Sequence, residues 1–230
     1  MPDDQIRIDD LPLFPLPRAL CSGGLLPLRI FEVRYLDMVA RAFRDGTPFG
    51  VVCLIEGSQV QQPARGGDGE TFAQERFHDA GTLATISQLE RPMSGLMVIR
   101  CEGTRRFRLS ARKRLPHGLW TGTAMCIESD PDVPVPPDLA HTSEALRDLF
   151  TQLQAQAGAP QQLPFLAPYR WDDCGWVAHR WCELLPMPAA LQQRLLETES
   201  PLLRLELVAD MLDRFREPAP RREGPPSQTD

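Results

Sequence analysis

Residues 11–35 read LPLFPLPRALCSGGLLPLRIFEVRY, and this stretch decides more about the fold than any other. Pro12, Pro15, Pro17 and Pro27 punctuate it, with Pro2 upstream. Proline removes a ladder donor and pins φ, so an ordinary central strand is not expected here. The run is also too apolar for a solvated linker. It reads as an extended chain packed onto a β core, turning sharply at Gly23-Gly24 and resuming an extended course from Leu25 to Ile30. A helix is expected from near Glu32. Phe31, Tyr35, Met38, Val39 and Ala42 recur at helical spacing and define its expected buried stripe.

Outward from this segment, β patterning continues to about Ser129. Pro48 to Ile55 is a buried strand candidate, and Arg76 to Leu89 holds a strand or two around Gly81. Leu96 to Glu102 and Thr104 to Leu109 flank Gly103. Phe107 and Leu109 share one face there, Arg106 and Arg108 the other. Leu119 to Ile127 is a further strand. Gln59 to Thr71 is rich in Gly, Gln and charge and reads as a mobile surface loop. One early helix among several strands predicts a small, partly closed β barrel.

Pro131, Pro134, Pro136 and Pro137 form a stiff linker. Beyond it the period changes to helical. Leu146, Leu149, Phe150, Leu153 and Ala157 mark one helix, Asp172 to Leu185 a second, and Ala189 to Glu197 a short third. Leu205, Val208, Met211, Leu212 and Phe215 stripe the last, with Pro201 well placed in its first turn. Residues 217–230, rich in Pro, Arg and Glu, are expected to be disordered. The expected organisation is α+β: a barrel subdomain over 1–130, a helical subdomain over 131–216 and a tail over 217–230.

At 230 residues the chain can bury a core unaided. Its longest apolar run, Phe49 to Ile55, is far too short to span a bilayer. Met-Pro-Asp-Asp at the start lacks a basic region and an apolar signal core, so a cytoplasmic protein with no membrane partner is expected. The formal net charge of −6 arises beyond residue 130; the part before it is balanced. Lys113 is the sole lysine, a pattern that reads as GC-rich coding and makes arginine abundance weak as a sign of any ligand. Cys21, Cys53, Cys101, Cys126, Cys174 and Cys182 form no Cys-x-x-Cys pair and read as reduced structural thiols, not as disulfides or a metal site.

Leu11 to Leu16 and Leu26 to Tyr35 closely match a known pattern. The chain resembles the N-terminal, substrate-binding domain of Lon proteases, which opens L-P-L-F-P-L and continues, after a Pro-Gly turn, L-P-L-x-I-F-E-x-R-Y. Ser22 stands where the family usually has the proline of that turn. Gly81-Thr82-Leu83-Ala84 with Ile86, Gly103 to Phe107, Glu183 to Pro186 and Leu195 to Glu197 extend the likeness from about residue 8 to about 215. The resemblance implies a PUA-like barrel followed by a helical half, and a role in binding polypeptides. No Gly-x-x-x-x-Gly-Lys-[Ser/Thr] loop and no Ser-Lys pair in a protease-like context occur, so a stand-alone binding domain without ATPase or peptidase is expected, with a separate ATP-dependent protease as a candidate partner.

No catalytic residue, metal site or cofactor is expected. His78, His117, His141 and His179 are scattered. Cys21, beside the glycine turn, lacks any local feature that would lower its pKa and reads as a structural thiol. The leading functional expectation is a non-enzymatic module that engages unfolded or exposed hydrophobic segments at the junction of barrel and helices. Leu13, Phe14, Leu16, Leu25 and Phe31 are its candidate contact residues, each with a core role as the plainer reading. Trp171, Trp176 and Trp181 read as a peptide-gripping surface or, more simply, as packing. The alternative is an RNA-binding PUA-like module using Arg106, Arg108, Arg112 and Arg114 within the basic run from Arg100 to Arg114. The acidic chain and the absence of interleaved stacking aromatics argue against nucleic acid. Glu32 and Arg34 read as a helix-start and salt-bridge pair. A small hydrolase is a third, remote class.

Overall fold

The structure, a computed structural model, describes residues 6–56, 75–157, 163–165 and 167–216. The expected loop at 59–71 and tail at 217–230 lie outside the described residues. Among the described residues, six strands form one sheet: β1 (Arg7–Leu16), β2 (Leu25–Ile30), β3 (Phe49–Glu56), β4 (Arg76–Met93), β5 (Leu96–Arg114) and β6 (Trp120–Cys126). Their order is β2-β5-β4-β3-β1-β6, and β5 also pairs with β6. That second pairing, from Phe107 to Arg114, closes β5, β4, β3, β1 and β6 into a ring. β2 stays outside it as a flanking strand on β5. The chain is thus α+β with a partly closed barrel.

One expectation about the opening stretch fails. β1 is a central strand, parallel to β3 on one side and antiparallel to β6 on the other. Stagger reconciles this with its prolines. β6 pairs along Arg7 to Leu13 and β3 along Leu13 to Leu16, so the two pairings overlap only at Leu13. Pro12 and Pro15 therefore each sit where a single neighbour is paired, and a missing donor leaves no gap in a doubly bonded ladder. In β2 the reason is different. Gly24 offers its carbonyl to the Gly103 N–H on β5, so by strand alternation Pro27 directs its donorless nitrogen to the free edge.

Glycine is required at two points of close approach. A Cβ on Gly81 would lie 2.3 Å from the Val51 carbonyl oxygen, and one on Gly103 would lie 2.3 Å from that of Cys21. β4 and β5 run unbroken through Gly81 and Gly103, where the sequence pattern leads one to expect separate strands.

Helix α1 (Val33–Asp45) buries Tyr35, Met38, Val39 and Ala42 as expected and ends at Gly46 in the left-handed region. Phe31 departs from the expected stripe. It precedes the helix and is 53% exposed. Glu32 occupies the N-cap position and its carbonyl accepts from the Leu36 N–H at 3.1 Å, but its side chain caps no backbone N–H; the carboxylate accepts from Arg34 Nε at 3.0 Å instead. Arg34 also pairs with Glu75 at 2.8 Å, and both side chains are buried.

The helical side comprises α2 (Ala140–Gln156), α3 (Cys174–Leu184), α4 (Ala189–Glu197) and α5 (Pro201–Arg216), after a short 3-10 turn at Pro137–Leu139. α3 is capped by Asp173, whose carboxylate accepts from the Trp176 N–H at 2.7 Å. Leu146, Phe150, Val177, Leu195, Leu205 and Val208 form its core, and Cys21 from the glycine turn belongs to that same cluster. The proline segment does not span freely. Val135 N–H donates to Asp172 and Cys174 N–H to Val133, which ties it to the start of α3.

Candidate functional site

The expected contact residues separate in space. Leu13, Phe14 and Leu16 are core residues of β1, at most 2% exposed. A side chain without accessible surface meets no ligand in the folded protein, so these three serve packing. Of the five, Leu25 and Phe31 alone reach the surface. On β2, Leu26, Leu28 and Ile30 face the core, while Leu25, Pro27 and Arg29 face outward. That outer face borders a cleft of about 580 Å³. Its floor is Leu25 and Pro27 of β2, Val98 and Arg100 of β5, and Gln88 and Glu90 of β4. Leu163, Pro164 and Phe165, with Glu183 and Leu184 at the end of α3, form the opposite wall. The cleft lies where the barrel meets the helices.

A buried polar seam holds that junction in place. Arg180 of α3 donates to the carbonyl oxygens of Ser22, at 2.7 Å, and Gly23. Glu183 accepts from the Cys21 N–H at 3.3 Å and pairs with Arg180 at 3.3 Å. Burial pushes the Glu183 carboxyl up, against the pull of Arg180. Gln192 and Gln193 of α4 bond Ala19 N–H and the Ala80 carbonyl. A second knot centres on Asp130. It accepts from Arg106 of β5 at 2.5 Å and from Arg204 of α5, and His179 of α3 stands 4.0 Å away. Burial, then Arg204, Arg180 and Arg106, holds the His179 imidazole well below its usual range, so the ring is neutral.

The seam explains the fate of the basic strip. Arg106 is 5% exposed, bonded to Asp130 and to the carbonyls of Leu196 and Thr198 at 2.8 and 3.1 Å. It is a structural cation and reaches no phosphate. Arg112 pairs with Asp79 at 3.1 Å and lies over the Phe77 ring, and Arg114 lies over Trp120. Arg108 is exposed. The four arginines do not form one face free for nucleic acid.

The tryptophans also resolve. Trp181 is buried, with its indole N–H on the Thr142 carbonyl at 2.9 Å. Trp171 and Trp176 are half-buried in a ring cluster with Phe150, Phe165 and Tyr169. All six cysteines are free and buried. The Cys21 thiol is pushed up by its hydrogen bond with Cys182, which favours the neutral form, and by burial, opposite to the shift an attacking thiolate requires. Among the described residues no group of His, Cys, Asp or Glu could hold a metal ion, and no helix is long and apolar enough to cross a membrane.

Of the five expected contact residues, only Leu25 borders the cleft. Val98, Leu163 and Leu184 carry no signal beyond ordinary amphipathic patterning. Asp130, just ahead of the proline segment, reads as one more surface acid.

The solved structures similar to this chain include a Lon N-terminal domain protein from Xanthomonas campestris. It is 28% identical, with a TM-score of 0.67, covering 88% of this chain and 98% of that one. The N-terminal domain of a Mycobacterium avium complex Lon protease is 18% identical with a TM-score of 0.54, covering 89% and 98%, and shares the fold. No curated protein matches the chain. The family model for the ATP-dependent protease La (LON) substrate-binding domain matches residues 10–214. Matched over that length, with a ring of strands locked to a helical side, the chain belongs to the Lon substrate-binding domain family.

Proposed function

We propose that this substrate-binding domain engages unfolded or partly folded polypeptide segments, without catalysis, in the cleft between β2–β5–β4 and the 163–165 wall. The observation that supports this most is the concave apolar strip of Leu25, Pro27, Val98, Leu163, Pro164 and Leu184, rimmed by charges of both signs. Apolar contact of this kind tolerates varied sequences at modest affinity. Side chains do the reading. The free edge of β2 lacks a donor at Pro27, which disfavours strand addition by a client backbone. An ATP-dependent protease is the proposed partner that acts on what is captured, and the cytoplasm the proposed compartment.

The test is titration with reduced, denatured casein. Dissociation constants on the order of micromolar or weaker, roughly −8 kcal/mol or less favourable, are expected. Binding should change little with salt, since apolar burial releases few counterions. Leu25→Ser and Leu184→Asp should each weaken it about tenfold while the melting temperature confirms folding. Undiminished binding in both folded variants, or a salt-steep RNA complex with no casein binding, would overturn the reading.

A further inference from the structure

The outer face of β2 does not end at the cleft. Leu25, Pro27 and Arg29 alternate outward, and Phe31 continues the alternation one residue past the strand. Ile30 is in register with Met97, so Phe31 falls opposite Leu96, which itself pairs with Met93 at the turn of the β4–β5 hairpin. Phe31 and Met93 are 53% and 65% exposed. A second apolar patch therefore lies at the far end of the same strand, with adaptable methionine on its rim. From Leu25 to Phe31 is six rises of about 3.3 Å, roughly 20 Å. Between the two patches stands Arg29, exposed and without an ion-pair partner among the described residues.

Resting on the cleft as the client site, we propose that a bound segment runs extended along this face and is held at two apolar anchors. One anchor enters the cleft at Leu25, the other packs on Phe31 and Met93, and a client carboxylate lies opposite Arg29. The client has the same rise per residue as β2, so its anchors are about six residues apart and the acid is about two residues from the Phe31 anchor. Two linked weak contacts bind far better than either alone, because the second is intramolecular once the first is made. This yields a preference for apolar residues at a fixed spacing around an acid, without any fixed sequence.

Fluorescence anisotropy with short labelled synthetic peptides tests this. A peptide with Leu anchors about six residues apart and Asp opposite Arg29 should bind roughly tenfold tighter than one whose Phe31-side anchor is Gly, or whose anchors are only about three apart. Phe31→Ser should erase that advantage and leave the single-anchor peptide unchanged. Arg29→Glu should switch the preference at the position opposite residue 29 from Asp to Lys. If Leu25→Ser weakens every peptide but Phe31→Ser and anchor spacing change nothing, the two-anchor mode is wrong and the cleft reading stands. If none of these peptides binds and casein does not bind either, the cleft reading falls as well.

Discussion

Replacing Asp130 with Asn should unfold the junction before it affects anything else. The carboxylate lies between Arg106 of β5, at 2.5 Å, and Arg204 of α5, whose second contact is 3.3 Å. Arg106 and Arg204 are 5% and 0% exposed at the side chain, and Asp130 15%. The amide in its place would keep one acceptor oxygen and lose the charge. Two buried guanidiniums would then face each other uncompensated. Removing one partner of a buried pair costs about 3–5 kcal/mol. The partial exposure of Asp130, and the carbonyls of Leu195, Leu196 and Thr198 that still receive the guanidiniums, place this case at the low end, about 3 kcal/mol. For a chain of this size that lowers the melting temperature by roughly 6–12 °C. Urea unfolding followed by far-UV circular dichroism measures it directly. Adding Arg204→Met to Asp130→Asn should restore part of the loss, since an unpaired cation is removed. A loss under about 1 kcal/mol with an unchanged urea slope would refute the assignment of Asp130 as the countercharge of the seam.

Two further outcomes are expected. His179 is neutral in the fold because burial and three arginines depress its pKa, whereas in the unfolded chain it takes a proton near pH 6.5. The unfolded state therefore binds the extra proton below that pH. Stability is full above about 6.5 and falls with acid by up to about 1.4 kcal/mol per pH unit, and His179→Gln should flatten that part of the pH–stability curve. Gly103→Ala would set a Cβ 2.3 Å from the Cys21 carbonyl oxygen, so it should cost about 1–3 kcal/mol in thermal or urea melts.

Local pattern carried much of the architecture. Short α4 at 189–197 and the proline start of α5 at 201 are legible because helical period and a first-turn proline act within a few residues. Gly81 and Gly103 stand out because only glycine fits a strand against another backbone. The 11–35 stretch by itself identifies the family, since its spacing of prolines and apolar residues is itself the resemblance.

Other features depend on which distant segments meet. The rule against proline in central strands misjudged β1 because it ignores register; the stagger of β3 and β6 about Leu13 exists only in the closed ring. Phe31 fits the helical period of α1, yet the chain is still extended there and points it to solvent. Arg106 alternates with Phe107 as an outward residue should, and is buried because the C-terminal end of α4 brings the Leu196 and Thr198 carbonyls to it and Asp130 links it to Arg204 of α5. The cleft has the same origin. Leu25, Val98, Leu163 and Leu184 are ordinary one at a time, and become a site only where the Arg180–Glu183 grip on the glycine turn sets the helices beside the sheet. Sequence determined the elements, the glycines and the family, because those follow from local sterics and periodicity. Tertiary structure decided which charges are buried and which apolar side chains stay exposed, because burial is a property of neighbours far apart in the chain.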